Sequence, residues 1–535
     1  MAICRLLVAN RGEIAVRIFK TCDRLGIGTV SVAAPDDRGA LHFRSADIAV
    51  EITSYLEPSE HIRAAVEGGA DAIHPGYGFL AENADFAEAV ITAGIVWIGP
   101  SPDALRLGGD KLAAKRIARE HGVPTLPQGT SAEIGFPLVV KAAAGGGGRG
   151  MRVVRSAAEL DDAMEAATRE AQAAFGDGTV FCERYLERPR HIEAQILGHD
   201  AGVHVLGGRD CSVQRRHQKL IEESPPPSLD AGTWARIEAG AAAFADAIGY
   251  RNAGTAEFLV DGGDVYFLEL NGRIQVEHPV TEEVTGLDLI ELQIREANGD
   301  PYNFAVAPSG HAVEARLYAE DPRTFLPQTG RIERLSLPAS VRVDAGVAAG
   351  DEIGLSYDPM IAKLIAHGRT RAEAIDRLAE ALEQTAVSGV VTNLPFLRWL
   401  VAHPSFRAGP VTTAFLVEYP PLSTPPLRTA PGLFAEPWRL NLPTPAPAAA
   451  PDPDASHAST TLTSANATIT APMPGTVIGV DVAVGDAVTA RQRLVVLEAM
   501  KMEQPVNAPF DAHVLAVHVV PGAQVAAGAL LVELG

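Results

Sequence analysis

The stretch Tyr266-Phe267-Leu268-Glu269-Leu270-Asn271-Gly272-Arg273-Ile274-Gln275-Val276-Glu277-His278-Pro279 decides how the centre of this chain folds. It follows an apolar segment, Ala256–Val260, and the turn Asp261-Gly262-Gly263-Asp264, a pattern that predicts two antiparallel strands joined by a tight hairpin. Because side chains alternate along a strand, Glu257 and Glu269 are expected on one face of the pair. So many polar groups in an otherwise apolar ladder argue against an ordinary exposed strand.

This hairpin predicts a catalytic centre. Two carboxylates and the amide oxygen of Asn271 are hard ligands, suited to Mg²⁺ held between the phosphates of a nucleotide. Beyond the strand, Arg273, Gln275 and Glu277 alternate, so they share one side of an extended segment. They offer a cation for a developing oxyanion and a carboxylate that can take a proton.

A glycine run, Lys141-Ala142-Ala143-Ala144-Gly145-Gly146-Gly147-Gly148-Arg149-Gly150-Met151, follows the apolar segment Pro137–Val140. Glycines have no Cβ, so backbone N–H groups can approach phosphates, and Lys141 adds a positive charge. A flexible surface loop explains the bare run equally well. Lys111 is a second candidate for reaching phosphates, although alone it is an ordinary charge at a helix start.

Two further segments are candidates for ligand binding. Arg209–Lys219 concentrates Arg, His, Gln and Lys in an acidic chain, which suits small anions such as bicarbonate or phosphate; the alternative is a solvated basic face. Phe181–Leu186 predicts a strand and a hinge whose backbone can face an adenine edge; the alternative is a core strand.

The C-terminal region contains an internal repeat. Ala471–Val477 is echoed by Ala508–Val514, at a constant offset of 37 residues. Each half predicts short strands broken by Gly and Asp turns, and two such halves can form a flattened, pseudo-symmetric β-barrel. Lys501, between Met500 and Met502, falls between the halves, where a hairpin presents it to solvent; a plain solvated lysine is the alternative.

Composition excludes several classes of protein. Hydrophobic content of 47% and charged content of 21% indicate a soluble globular chain of several domains, with no apolar run long enough to cross a membrane. The net charge of −21 argues against nucleic acid as a partner. The four cysteines show neither metal-ligand nor disulfide spacing, so we expect a cytoplasmic location: Cys4, Cys22, Cys182 and Cys211.

Together these motifs resemble the biotin carboxylase component of biotin-dependent carboxylases, over about residues 3–420 and in the same order throughout. The Glu498-Ala499-Met500-Lys501-Met502 motif resembles that of biotin carboxyl carrier domains, and the whole chain resembles the α subunit of an acetyl- or propionyl-CoA carboxylase. The resemblance implies an α/β ATP-grasp fold, a Pro/Ala-rich linker and an all-β biotinyl barrel. The implied domains are an N-terminal α/β domain at 1–110, an ATP-grasp domain at 111–310 with its lid at about 115–185, a C-terminal domain at 311–420, a linker at 421–468 and the carrier at 469–535.

The resemblance also implies roles for matching residues. ATP would be contacted by Lys111, Lys141, Gly147, Gly148, Glu183, Leu186, His191, His217, Glu257 and Glu269, with Glu183 and Leu186 bordering the adenine largely through their backbone. Mg²⁺ or Mn²⁺ would be held by Glu257, Glu269 and Asn271. Bicarbonate would be held by Lys219, Arg273, Gln275 and Val276, and deprotonated by Glu277; Arg273 and Arg342 would stabilise charge on biotin, which is attached to Lys501.

Some features depart from the family pattern. Gly272 replaces a usual threonine, so we expect a looser local backbone, and Pro127–Phe136 and Val50–Ser54 are short. Nothing resembles a carboxyltransferase, which predicts a separate carboxyltransferase (β) subunit as partner, beside a biotin protein ligase and assembly into homo- or hetero-oligomers. Two-subunit pyruvate carboxylase, another ATP-grasp ligase with a lipoyl-like carrier, and a non-enzymatic carrier or scaffold are the alternatives.

Overall fold

The computed structural model describes residues 2–143, 151–215, 218–300, 306–423, 467–499 and 502–535. Among these residues no helix is both long enough and apolar enough to span a bilayer.

The N-terminal region is a five-stranded parallel sheet in the order β3-β2-β1-β4-β5, as the alternation of strand and helix predicts. Parallel strands point their carboxyl ends at one edge, where polar groups collect. There the side chain of Asn10 donates to the carbonyls of Pro75 and Tyr77. The elements are β1 Arg5–Val8, α1 Gly12–Leu25, β2 Gly28–Ala33, α2 Leu41–Ser45, β3 Ile48–Glu51, α3 Pro58–Gly68, β4 Ala72–His74, α4 Ala84–Thr92 and β5 Val96–Trp97.

The lid region is a small three-stranded antiparallel sheet in the order β7-β6-β8, covered by one long helix. Its core is small, which is consistent with a module that can move against the rest. Its elements, with the helices that lead into it, are α5 Pro102–Gly109, α6 Lys111–Glu120, α7 Ser131–Ile134, β6 Leu138–Ala142, β7 Arg152–Val154, α8 Leu160–Phe175 and β8 Val180–Arg184.

An eight-stranded sheet, in the order β13-β12-β9-β10-β11-β14-β19-β17, forms the centre of the molecule and runs across the predicted boundary at residue 310. Apolar cores cover it, one under α9 and one under α12 and α13. The elements are β9 Arg190–His199, β10 Gly202–Arg215, β11 Gln218–Ser224, α9 Ala231–Ala247, β12 Asn252–Asp261, β13 Asp264–Asn271, α10 His278–Thr285, α11 Leu289–Asn298, β14 His311–Tyr318, β15 Gly330–Arg331, β16 Arg334–Ser336, β17 Arg342–Ala345, β18 Glu352–Ile353, β19 Met360–Gly368, α12 Arg371–Gln384, β20 Ala386–Ser388, α13 Leu394–Ala402, α14 Pro404–Ala408 and α15 Phe415–Glu418.

The C-terminal region consists of two four-stranded sheets, β21-β28-β26-β23 and β25-β24-β22-β27, which confirm the predicted two-half barrel. The offset of 37 relates β22 to β26, β23 to β27 and the start of β24 to that of β28. Repeat-related side chains such as Leu494 and Leu531 are buried in its core. The strands are β21 Ala467–Thr470, β22 Gly475–Val480, β23 Ala487–Val488, β24 Arg493–Ala499, β25 Met502–Asn507, β26 Ala512–Val517, β27 Gln524–Val525 and β28 Leu530–Leu534.

Among the described residues, two loops of the central region, which carry Leu326 and Leu355, pack against the hydrophobic cluster of the barrel. Phe325 has a φ of +57°, rare for a bulky residue, and its ring packs between Phe396, at 4.8 Å, and the Arg215 guanidinium, at 5.0 Å. The next residue, Leu326, is buried in the hydrophobic cluster of the barrel, against which Leu355 also packs. The left-handed conformation of Phe325 thus marks where the chain passes from the core of the central region, which contains Phe325, to the barrel cluster, which contains Leu326.

Candidate active site

The hairpin of β12 and β13 forms as its sequence predicts. Gly262 and Gly263 both take positive φ in the two-residue turn, and Glu257 lies directly opposite Glu269. Burial and the neighbouring Glu257 carboxylate raise the pKa of Glu269. Two facing carboxylates that repel one another in a buried setting are an arrangement that a divalent cation relieves.

Glu257 is the more strongly held of the two carboxylates. The amide of Gln214 lies 2.6 Å from Nδ1 of His191, which leaves Nε2 to carry the proton that faces Glu257 at 2.8 Å. Nζ of Lys219 lies 2.8 Å from the other oxygen. Burial raises the pKa of the Glu257 carboxyl, but Lys219 and His191 outweigh it and hold that pKa below its ordinary value.

Lys219 is the cation at the centre of the site. Its ammonium lies 2.6 Å from Glu193, 2.8 Å from Glu257 and 2.6 Å from Glu277. Burial lowers the pKa of Lys219, but Glu193 and Glu257 outweigh it and raise the pKa well above its ordinary value. Lys219 therefore stays protonated at any physiological pH, and can attract an anion if its carboxylate partners yield.

Glu277 is the residue immediately before α10, and its carboxylate is fully buried inside the protein. One of its oxygens accepts from Lys219 at 2.6 Å and the other from Arg316 at 2.9 Å. Burial raises the pKa of Glu277, but Lys219 and Arg316 lower it well below its ordinary value. Glu277 is thus ionised and able to accept a proton.

Arg273 and Gln275 meet beside the paired carboxylates. The Arg273 guanidinium donates to Gln275 at 2.9 Å and to the amide oxygen of Asn271 at 3.0 Å. The amide of Gln275 donates to Glu257 at 3.1 Å. The predicted shared side of Arg273, Gln275 and Glu277 is confirmed for the first two by direct contact, and Glu277 joins them through Lys219.

Gly272 is closely packed, contrary to the looser backbone that we expected. Its N–H donates to Glu82 at 3.0 Å, and the same carboxylate accepts from Arg273. A Cβ at Gly272 would lie only 2.9 Å from a methyl of Leu105, so glycine lets that leucine approach the strand.

The other end of the site is a cluster of lysines. Lys141 Nζ lies 2.7 Å from one oxygen of Glu183, and Lys115 is paired with the other. The side chain of Glu183 is therefore engaged by two ammonium groups, a role that the sequence reasoning, which gave it a backbone role, did not foresee. Burial and the nearby Lys141 lower the pKa of Lys115 to about 8. Lys111 lies on the same helix, one turn earlier.

Arg342, predicted to stabilise charge on biotin, is not among the residues that line the cavity of the site. It lies on β17, the edge strand, where it pairs with Glu282 at 2.8 Å and with Asp344 at 2.9 Å. Arg316, on β14 next to the strand of Lys219, reaches Glu277 instead. The reason is strand order, since β19 separates β17 from β14.

One cavity of about 1230 Å³ joins the two ends of the site. Apolar side chains, among them Val139, Met151 and Leu268, line one part of it, as a flat heterocycle requires. Among the polar residues that line the cavity are Lys111, Lys115, Lys141, His191, Lys219, Glu257, Glu269, Asn271, Arg273, Gln275, Glu277 and Arg316, with Leu186 and Val276 beside them.

Four predicted site residues lie outside the described part of the chain: Gly147, Gly148, His217 and Lys501. The strands before and after Lys501 are described, and they pair with Ala499 opposite Met502. The sequence reasoning missed Arg316, Lys115, Glu193 and Glu82. The sequence contains a signal for two of them. Lys115 follows Lys111 by four residues, so both lie on one side of a helix. Arg316 follows Glu314 by two residues, so both charged side chains lie on one face of an otherwise apolar strand.

Four family models match the chain in succession. They are "Biotin carboxylase, N-terminal domain" over residues 2–105, "Carbamoyl-phosphate synthase L chain, ATP binding domain" over 116–304, "Biotin carboxylase C-terminal domain" over 314–418 and "Biotin-requiring enzyme" over 467–534.

Curated relatives agree with this order. The biotin-dependent acyl-coenzyme A carboxylase alpha3 subunit of Mycobacterium leprae is 41% identical, over 99% of this chain and 98% of that protein. The biotin carboxylase of Halalkalibacterium halodurans is 46% identical, over 78% of this chain and 97% of its own length. The methylcrotonoyl-CoA carboxylase subunit alpha of Arabidopsis thaliana is 48% identical, and the match spans about 60% of that longer protein.

Solved structures support the same assignment. The biotin carboxylase domain of Hydrogenobacter thermophilus 2-oxoglutarate carboxylase, in complex with MgADP, ADP and bicarbonate, matches with a TM-score of 0.76 and 42% identity, over 78% of this chain and 98% of its own. The biotin carboxylase of Campylobacter jejuni, in complex with β,γ-ATP, matches with a TM-score of 0.76 and 41% identity, over 78% and 99%. This chain therefore belongs to the biotin carboxylase family, as a member that also carries a biotinyl domain.

Proposed function

We propose that this chain uses ATP and bicarbonate to carboxylate biotin carried on Lys501, as the first half-reaction of an acyl-CoA carboxylase. The observation that supports this best is a single cavity in which Lys219 and Arg316 flank the ionised Glu277, beside the paired Glu257 and Glu269. A nucleotide can occupy the lysine-rich end while a small anion reacts at the other.

ATP would bind with its base in the apolar part of the cavity and its phosphates toward the lysines. Lys111 and Lys141 are the candidates for phosphate binding, and Lys115 shares Glu183 with Lys141. The Glu183 carboxylate thus offsets part of this positive charge until the nucleotide supplies its own.

Glu257, Glu269 and Asn271 fit a divalent cation. The two carboxylates face one another, and burial together with the charge of Glu257 raises the pKa of Glu269. Bound there, Mg²⁺ or Mn²⁺ would neutralise phosphate charge during transfer.

Bicarbonate would bind where Lys219, Arg273 and Gln275 converge, with the backbone N–H of Val276 beside it. The Val276 carbonyl already accepts from Lys363 at 2.8 Å, which fixes this backbone. An anion that drew Lys219 away from Glu277 would raise the basicity of that carboxylate. Glu277 would then take the bicarbonate proton, and the bicarbonate oxygen would attack the γ-phosphate to give carboxyphosphate and ADP.

Biotin supplies a ring nitrogen that accepts the carboxyl group. Arg316, which lines the cavity and contacts Glu277, is our candidate for stabilising the negative charge that develops there, in place of Arg342. Arg273 remains the second candidate. The contact of the barrel with Leu326 places the carrier beside the loop whose residues Arg323 and Thr324 line the cavity mouth.

We infer that the chain acts with a separate carboxyltransferase subunit, and that a biotin protein ligase modifies Lys501. The Mycobacterium leprae relative matches over nearly the full length of both chains, which favours an acyl-CoA carboxylase. Pyruvate carboxylase of Rhizobium etli, 42% identical over 78% of this chain, favours the alternative of pyruvate carboxylation. An avidin pull-down with mass spectrometry separates the two: an acyl-CoA-type carboxyltransferase supports the first, and a barrel-type one the second.

The test of the half-reaction is bicarbonate-dependent ATP cleavage, stimulated by free biotin. Glu277→Gln should lower its kcat by about 10²–10⁴-fold, because the proton acceptor is lost. Glu67→Gln, at an exposed glutamate on α3, is the matched control and should keep wild-type activity. A wild-type chain without bicarbonate-dependent cleavage would overturn the proposed function, and an active Glu277→Gln would overturn the assigned base.

A further inference from the structure

Behind Glu277 lies a second pair of buried carboxylates that the proposed reaction does not use. Glu222 on β11 and Glu314 on β14 face each other across the sheet, and neither has any exposed surface. Both oxygens of Glu314 lack a hydrogen-bond partner among the described residues. Two adjacent carboxylates buried in this way need a cation or a proton.

The cation that they have is Arg316. Its Nη2 forms an ion pair with Glu222 and also lies 2.9 Å from Glu277, so a single nitrogen is shared by the second pair and the candidate base. Lys363, the other nearby cation, is engaged by the Val276 carbonyl at 2.8 Å and by Glu13 at 3.2 Å. Arg316 is the shared link between the two carboxylate groups.

We propose that Glu222 is a positioning residue for carboxylation: it anchors Arg316 at the point where the same guanidinium reaches Glu277 and the cavity. This inference rests on the proposed function. Arginine has a long side chain with many rotamers, and a fixed anionic partner limits them at little further cost once the site is folded. Without Glu222, the Arg316 side chain would lose a fixed anionic partner and would no longer be held where it faces the second substrate.

The charges around Glu222 agree with this role. Burial raises the pKa of Glu222 to about 7, Arg316 acts against that rise, and Glu277 adds to it. Burial and Glu222 raise the pKa of Glu314 well above its ordinary value although Lys363 opposes this, so Glu314 holds a proton. The other charged groups that face the pair are Arg316, Glu277 and Lys219. Glu222 is therefore the member of the pair that carries the charge.

The test compares Glu222→Gln with Glu314→Gln in the full chain. Glu222→Gln should lower kcat/KM for free biotin by about 10- to 100-fold, because the buried ion pair with Arg316 is lost. Bicarbonate-dependent ATP cleavage without biotin offers no charge on biotin for Arg316 to stabilise, so it should change by no more than about twofold. Glu314→Gln replaces a neutral acid by a neutral amide of the same shape, so both activities should stay near those of the wild type.

Two further readouts exclude a merely structural role. The biotin-dependent rate of the wild type should fall as the pH drops through about 7, as Glu222 takes a proton, and Glu222→Gln should lack this limb. In the Arg316→Met background, Glu222→Gln should have no further effect.

Three results would overturn the inference: equal loss of both activities in Glu222→Gln, an equal loss in Glu314→Gln, or additive losses in the double variant. A wild-type chain that lacks bicarbonate-dependent ATP cleavage would instead overturn the underlying function, so the two failures are distinguishable.

Discussion

The central sheet and the carrier barrel use their interiors in opposite ways. The barrel core is aliphatic, with buried residues such as Leu494, Val495 and Leu531. The central sheet buries the side chains of Glu193, Arg209 and Glu222 on its strands, and that of Glu277 beside them. Burying charge rarely adds stability over apolar packing, whereas removing one partner of a buried pair is costly. The difference teaches that the barrel is built to be stable and the sheet to hold charges in place.

The largest effect should distinguish Arg316, which the sequence reasoning missed, from Arg342, which it named. Arg316→Met should lower the biotin-dependent rate by about 10²–10³-fold, as the loss of one donor to developing charge does. Arg342→Met removes a cation that pairs with Glu282 and Asp344 on an edge strand, so its loss should be far smaller. Steady-state kinetics with free biotin measure both, and a larger loss in Arg342→Met would restore the prediction from sequence.

Removing a buried charged side chain from the central sheet should lower the free energy of unfolding. Arg209 has no exposed surface and donates to Glu193, Gln195, Thr255 and Thr281. Arg209→Met should lower the free energy of unfolding by about 3–5 kcal/mol, because Glu193 loses a buried partner.

Its control is Arg106→Met, since Arg106 also pairs with several carboxylates but at an exposed position. Denaturant unfolding should show almost no change for that variant. Equal losses for the two arginines would contradict the distinction between buried and exposed pairs.

In the barrel, the comparable change is a cavity left when a buried leucine is shortened to alanine. Leu494→Ala should lower the free energy of unfolding of the carrier by about 2–5 kcal/mol, and Leu531→Ala, its repeat mate, by a similar amount. Calorimetry of the full chain would detect this. Bicarbonate-dependent cleavage with free biotin should stay unchanged, and a loss there would show that the carrier core supports the catalytic site.

The smallest expected effect is a difference between the N-terminal region and the carrier in how their stability depends on pH. Burial lowers the pKa of His42 and of His74 to about 4, so the folded N-terminal region binds fewer protons than the unfolded chain between pH 6.5 and 4. The free energy of unfolding of this region should therefore decrease as the pH is lowered from 6.5 to 4, by about 1 kcal/mol per pH unit and per histidine.

The described carrier residues include only exposed histidines, His513 and His518. Thermal melts from pH 7 to 5 should shift the N-terminal transition and leave the carrier transition in place. A parallel shift of both would contradict the assignment to buried histidines.

The parts predicted correctly from sequence are those set by local pattern. The hairpin turn at Gly262 and Gly263 forms where the sequence predicts it, and a register shift between Glu257 and Phe258 then sets Glu257 opposite Glu269. The partner of Glu277 could not be predicted, because strand order in the large sheet depends on contacts distant in sequence. The paired role of Glu183 was missed for the same reason, since its lysines come from α6 and β6.

The position of Arg316 in the chain has a consequence for biosynthesis. Lys219 and Glu277 leave the ribosome before Arg316, and β14 pairs with β11 across about ninety intervening residues. Until that pairing forms, Glu222 and Glu277 have no shared arginine, and a nascent chain that stops before residue 311 contains the base and Lys219 but lacks Arg316. The active site is thus completed only after β14 has been synthesised and has joined the sheet.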